Sequence, residues 1–304
     1  MMIDRAENLA VKSDSKLKGL ARFRERIKLF LELTPGLFWL FFFFIIPTLL
    51  ILRYSFNQYS GGMMIKAFTL DHYIRAITGH IYLKVLLKSL WYGVMVTSSC
   101  LIIGYPCAYF LARTKFRRKE ILFLGLIIPF WTSIVIRTYA WKVLLGTNGM
   151  VNYFLTQIGI IENPIRFLYS EKAVFIGLTH VFLPFMILPL YATIEKINPF
   201  LDEAAQDLGA NRLKSFLFVT LPLSFPGIST GCILVYILTI GSYITPDLLG
   251  GPTEMMISNL IQREYYAAFN WPFGSALGIL LLIIILVLLL FYNKIFKLEK
   301  IAGG

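Results

Sequence analysis

The chain has 304 residues, 57% of them hydrophobic and only 15% charged, with a mean hydropathy of +0.70. A soluble domain of this length has too much surface to wet for that composition, so lipid must be its outer solvent. The formal net charge of +12 would suggest nucleic acid on a soluble protein, but here the basic residues track the membrane, and nucleic acid is excluded as a partner.

Residues 1–32 read as a basic cytoplasmic tail ending in an amphipathic helix. Over 15–32, Leu17, Leu20, Phe23 or Ile27, and Phe30 or Leu31 recur at helical spacing, with Lys and Arg on the other face. Such a helix lies on an anionic leaflet; residues 1–14 are expected to be disordered. The first apolar run starts after some 32 residues and lacks a small-residue cleavage site. It is therefore expected to remain as an anchor and not to be removed as a signal peptide.

Six apolar runs follow, at about 33–52, 86–111, 121–141, 173–194, 225–245 and 276–292. A spanning helix needs about 20 residues. Backbone polar groups in lipid must be satisfied within the segment, so these are helices; the alternating ten-residue pattern of barrel strands is absent. The expected fold class is an all-α membrane protein with six transmembrane helices over 33–296, an N-terminal interfacial helix and a C-terminal tail at 297–304. Between the first two spans a short helical pattern covers Asp71–Ile77. Span two carries Gly104-Tyr105-Pro106, where proline removes a backbone hydrogen bond and permits a kink. Span three places Trp131, Arg137, Tyr139 and Trp141 in its outer half. Some of that is an aromatic belt, but a charge inside a span is costly and usually functional. Span five is interrupted at Gly241 and ends at Pro246-Asp247. A re-entrant or surface helix covers Glu254–Phe269.

Nineteen Lys and Arg fall before span one, between spans two and three, between spans four and five, and after span six, against about eight on the opposite side. The positive-inside rule puts both termini in the cytoplasm, in agreement with an even number of spans. Cys100, Cys107 and Cys232 lie in apolar runs without metal-ligand spacing, and His72, His80 and His180 are scattered, so no metal site and no catalytic set is expected.

The most informative stretch is the segment 195–222 between spans four and five. Pro199 and Asp202 suit a helix start, and Glu203 complements the helix dipole. Ala204 and Ala205 let another protein approach closely. Gly209 ends the short helix with a sharp turn, and Pro222 opens span five. The expected product is a rigid two-helix lever tied to two spans. Glu203-Ala204-Ala205, then Gly209 after three residues, then Val219-Thr220-Leu221-Pro222 resembles the signature loop of ABC-importer permeases, in which Val219 stands where the pattern has Ile. Pro129–Ser133, Arg137-Thr138-Tyr139-Ala140-Trp141 and Tyr243–Gly251 resemble the polyamine (spermidine/putrescine) branch, which shares features with opine, phosphonate and iron importers.

The resemblance implies a type I ABC-importer permease fold in a bacterial inner membrane. It also implies that Glu203, Ala204, Ala205, Asp207, Gly209, Leu221 and Pro222 couple the chain to an ATPase. No G-x-x-x-x-G-K-[ST] sequence is present, so ATP and Mg would be bound by two partner ATPase subunits and no cofactor by this chain. A second, related permease subunit and a periplasmic substrate-binding protein are the other expected partners. For a polycation, Trp131, Tyr139, Trp141, Tyr243, Asp247 and Glu254 are candidate path residues, through carboxylate pairing and cation–π contacts. Each aromatic could instead be an interface anchor, and Asp247 a cap. Arg137 cuts against a purely cationic path: it could pair with Asp247 or Glu254, or mark an anionic substrate. A non-transporting sensor or assembly protein would lack the intact lever, and a channel or secondary transporter would show inverted repeats.

Overall fold

The structure is a computed structural model that describes residues 28, 32–60, 62–114 and 119–296. The interfacial helix expected over 15–32, apart from Lys28 and Glu32, and the tail at 297–304 lie outside the described residues. The chain divides into two units, Met1–Tyr54 and Ser55–Gly304.

The first unit contains all but the last residue of helix α1, Glu32–Ser55, which carries one π-helical turn at Phe41–Ile45. Rings one turn apart stack, Phe38 on Phe42 and Trp39 on Phe43. The Thr48 hydroxyl donates to the Phe44 carbonyl at 2.7 Å, which satisfies a polar group inside an otherwise apolar helix.

The second unit opens with a feature the periodicity does not show, a short antiparallel hairpin of β1, Asn57–Ser60, and β2, Met63–Phe68. Helix α2, Asp71–Thr78, follows where the short helical pattern places it. The long helix α3, His80–Arg113, runs without interruption through Pro106. Span three differs from expectation. It is broken into α4, Lys119–Ile127, a 3-10 turn over Ile128–Trp131, and α5, Ile134–Leu144. Pro129 within that turn cannot donate the bond that would carry the α-helix through. Helix α6, Met150–Gln157, follows, and α7 is Glu171–Ile194.

The lever segment forms α8, Phe200–Asp207, and α9, Arg212–Ser215, followed by a π-helical turn over Phe216–Thr220 and one turn, α10, Leu221–Leu223. Span five proper is α11, Phe225–Gly241. It meets the preceding helical stretch, which holds Pro222, at a 61° bend. Then come α12, Ile244–Gly250, α13, Ile257–Tyr266, and α14, Trp271–Phe296. Helix α13 is the surface helix expected within 254–269. The all-α class holds. Among the described residues four helices are long and apolar enough to cross a membrane, or five if the bent pair is one span.

The core lies between α3, α7 and α11, around Val96, Cys100, Leu178, Met186, Leu190 and Val235. Lipid offers helices no hydrophobic reason to associate, so small residues that permit close contact carry the packing. At Gly227 on α11 a Cβ would stand 2.8 Å from the Pro189 carbonyl oxygen and 2.7 Å from the Thr193 hydroxyl oxygen of α7. Only hydrogen fits there.

Candidate functional site

Helix α8 begins at Phe200 behind Pro199, whose fixed φ suits a first turn and whose missing N–H costs nothing there. Its end is fixed by Gly209 at φ +90°. The Gly209 N–H donates to the Gln206 carbonyl at 2.9 Å and the Ala210 N–H to the Ala205 carbonyl at 3.0 Å. This is a Schellman motif, and the left-handed conformation it needs is open to glycine without strain. A second cap restarts the chain: the Asn211 carboxamide oxygen accepts the Lys214 N–H at 2.8 Å, opening α9.

Asp202 does not cap the helix, as its position in the first turn suggests. It faces inward and gathers three donors. Arg113 Nη2 at the end of α3 donates to Oδ2 at 3.0 Å. The Ser215 and Thr220 hydroxyls both donate to Oδ1 at 2.8 Å. Arg113 Nη1 donates to the Ile197 carbonyl at 3.0 Å. The ion pair is mostly withdrawn from solvent, with side chains 17% and 20% exposed. One carboxylate therefore joins α3, α8, α9 and the π-helical turn. Charge-assisted bonds of this kind are about twice as strong as neutral ones.

Two further contacts fasten the second arm to α3. The Phe216 ring meets Tyr105 and Tyr109 edge-on, at 5.7 and 5.6 Å. The Tyr105 and Ser224 hydroxyls lie 2.9 Å apart, and Ser224 marks the 61° bend. Just past the end of α7, Glu195 is bonded by the Tyr191 hydroxyl at 2.7 Å and by Lys119 at 3.0 Å. Those bonds, the tyrosine's first, hold its carboxyl below the usual range.

Glu203, Ala204, Asp207 and Gly209 are exposed, while Ala205 is half-buried against the lever. They stand beside Leu208, 91% exposed, and Phe200, 71% exposed. Large apolar side chains thus stand next to acids on one exposed projection. Leu221 packs on the core, and Pro222 lines a shallow apolar groove with Leu223 and Phe225. Sequence reasoning found the exposed face of the lever. It missed Asp202 and Arg113, whose only sequence signal is an acid and a base at the ends of elements 89 positions apart.

The seven candidate path residues do not form one cluster. Helix α5 packs on α12, with the Thr138 and Thr245 hydroxyls 3.4 Å apart. That brings the element bearing Arg137, Tyr139 and Trp141 to the element bearing Asp247. Arg137 is only 9% exposed and its Nε is buried without a hydrogen-bond partner. It pairs with neither expected acid, since Asp247 is exposed and Glu254 is held by Lys88. Trp141 stacks edge-on to His180 at 5.5 Å. The Trp131 side chain is 85% exposed, and Tyr139 and Tyr243 are about half exposed, as interface aromatics are.

The spermidine/putrescine transport system permease protein PotB of Escherichia coli K12 is 41% identical over 261 residues, 86% of this chain and 94% of its own. The PotB protein of Haemophilus influenzae is 41% identical over 86% of this chain and 91% of its own. The E. coli inner membrane ABC transporter permease protein YdcU is 31% identical over 73% of this chain and 74% of its own. Among solved structures, a bacterial alginate ABC transporter in complex with a pentasaccharide-bound periplasmic protein superposes with a TM-score of 0.74 at 22% identity, covering 89% of this chain and 94% of that one. The likeness at that identity is one of fold. The profile of the binding-protein-dependent transport system inner membrane components matches residues 101–298, which hold the Asp202 junction, the capped lever and the bent span. The chain belongs to that family and is a permease component of an ABC importer.

Proposed function

We propose that this permease imports polyamines of the spermidine/putrescine class, with both termini and the 195–222 lever in the cytoplasm. The observation that carries the substrate class is the 41% identity, over 86% of the chain, to proteins named as spermidine/putrescine permeases. The lever is the docking point of an ATPase. Its exposed Glu203, Ala204, Asp207 and Leu208 enter a groove on that subunit. The Asp202 junction and the Phe216 clamp carry the resulting displacement into α3, and the bend at Ser224 carries it into α11. Two states of the bundle, biased by ATP binding and by hydrolysis, then alternate access to the passage.

The complex would contain a second permease subunit, two ATPase subunits that bind ATP and Mg, and a periplasmic binding protein that delivers the substrate. Uptake of labelled spermidine by the complex in proteoliposomes tests the substrate class. Unlabelled putrescine should compete, and opines, phosphonates and ferric chelates should not. Uptake that polyamines fail to block would remove the substrate class and leave the importer in place.

A further inference from the structure

A second charged cluster lies far along α3 from the lever. Lys88 stands 25 positions before Arg113 on one continuous helix, a separation of about 37 Å at 1.5 Å per residue. Its Nζ lies 2.5 Å from Glu254 Oε2 and donates to the Thr253 carbonyl at 3.2 Å. Tyr92, one turn further on and 1% exposed, donates its hydroxyl to the same Oε2 at 3.0 Å. The neighbouring Ser89 hydroxyl accepts the Ile257 N–H at 2.8 Å, which fixes the 253–257 stretch against α3. Beside the pair, Trp91, Tyr92, Phe175 and the charged Glu171, Arg166 and Lys172 help wall an open cavity of about 570 Å³.

A carboxylate and a carbonyl converging on one ammonium, with a phenol orienting the carboxylate, make a site for any primary alkylammonium. The occupant here is the four-carbon ammonium stem of Lys88, which is n-butylammonium on a tether. A diamine or triamine presents the same group. The Lys88 and Glu254 side chains are 26% and 15% exposed, so the pair is reachable while largely withdrawn from water. Exchanging one ammonium for another keeps Glu254 paired, and the displaced Lys88 ammonium, on a flexible side chain already 26% exposed, turns to water.

We propose that Glu254 and the Thr253 carbonyl form an ammonium-binding site in the substrate passage, and that Lys88 fills it until a substrate ammonium displaces it. The proposal rests on the polyamine reading and names the contact through which that substrate is held.

The test is equilibrium binding of labelled spermidine to the purified permease–ATPase complex. Lys88→Met removes the competitor and keeps the stem. It should tighten binding, by about tenfold if the pair is closed nine-tenths of the time. Glu254→Gln should weaken binding. n-Butylammonium should compete with spermidine in Lys88→Ala and have little effect on the unsubstituted protein. A pair that only braces the fold gives lower yield and melting temperature in both variants with no shift in affinity, and that result would overturn the proposal. If the unsubstituted complex takes up no spermidine, the polyamine reading fails by itself. The ammonium site is then judged by heat stability: n-butylammonium should raise the melting temperature of Lys88→Ala but not of Lys88→Ala combined with Glu254→Gln. Equal response of the two sinks it.

Discussion

Adjacent residues on α8 have opposite tasks. Asp202 faces inward with three donors on its carboxylate, and Glu203 faces solvent. Asp202→Ala would strip Arg113 of its counter-charge and the Ser215 and Thr220 hydroxyls of their carboxylate acceptor in a mostly buried setting, at a cost of roughly 2–4 kcal/mol. The purified protein should melt several degrees lower, and ATPase stimulation should fall with it. Glu203→Lys reverses a charge that no hydrogen bond or ion pair among the described residues uses. Its melting temperature should stay unchanged while ATPase stimulation by loaded binding protein is lost. Equal melting losses in both variants would contradict this division. The exposed position of Glu203 is legible in the sequence because a solvent face is local, with its residues spaced along one helix. Asp202 is not, because its importance comes from Arg113, which only the packing of α8 against the end of α3 brings within reach.

Among the elements, hydropathy located the apolar segments but not their breaks. The run at 121–141 is apolar enough for a span, yet Pro129 divides it into α4 and α5. Pro106 sits inside α3 and does not divide it. Proline identity therefore does not by itself decide the outcome. Contacts between elements were equally hidden, because a glycine in an apolar run carries no periodic signal. Gly227 is the clearest case. Gly227→Val would drive a branched side chain into the Pro189 carbonyl and Thr193, and the carbonyl cannot rotate away. The α7–α11 contact should open at a cost of about 1–3 kcal/mol, seen as a lower melting temperature and poor recovery of the assembled complex. Normal assembly of Gly227→Val would show that this contact is not required.

For the whole molecule, the positive-inside argument and the charged clusters on α3 make one joint claim. The Arg113 end and the Lys88 end, about 37 Å apart along the helix, should face opposite sides of a bilayer whose apolar core is about 30 Å thick. The native Cys100, Cys107 and Cys232 are free, so they are first replaced by Ala or Ser, and single cysteines are then introduced at Leu208, 91% exposed, and at Thr253, also exposed. With a membrane-impermeant maleimide, Thr253→Cys should be labelled in intact spheroplasts and Leu208→Cys only in inverted vesicles. Co-expression of the ATPase subunits should shield Leu208→Cys and leave Thr253→Cys as reactive as before. Labelling of Leu208→Cys from outside the cell would reverse the orientation, and no ATP-hydrolysing partner could then reach the lever.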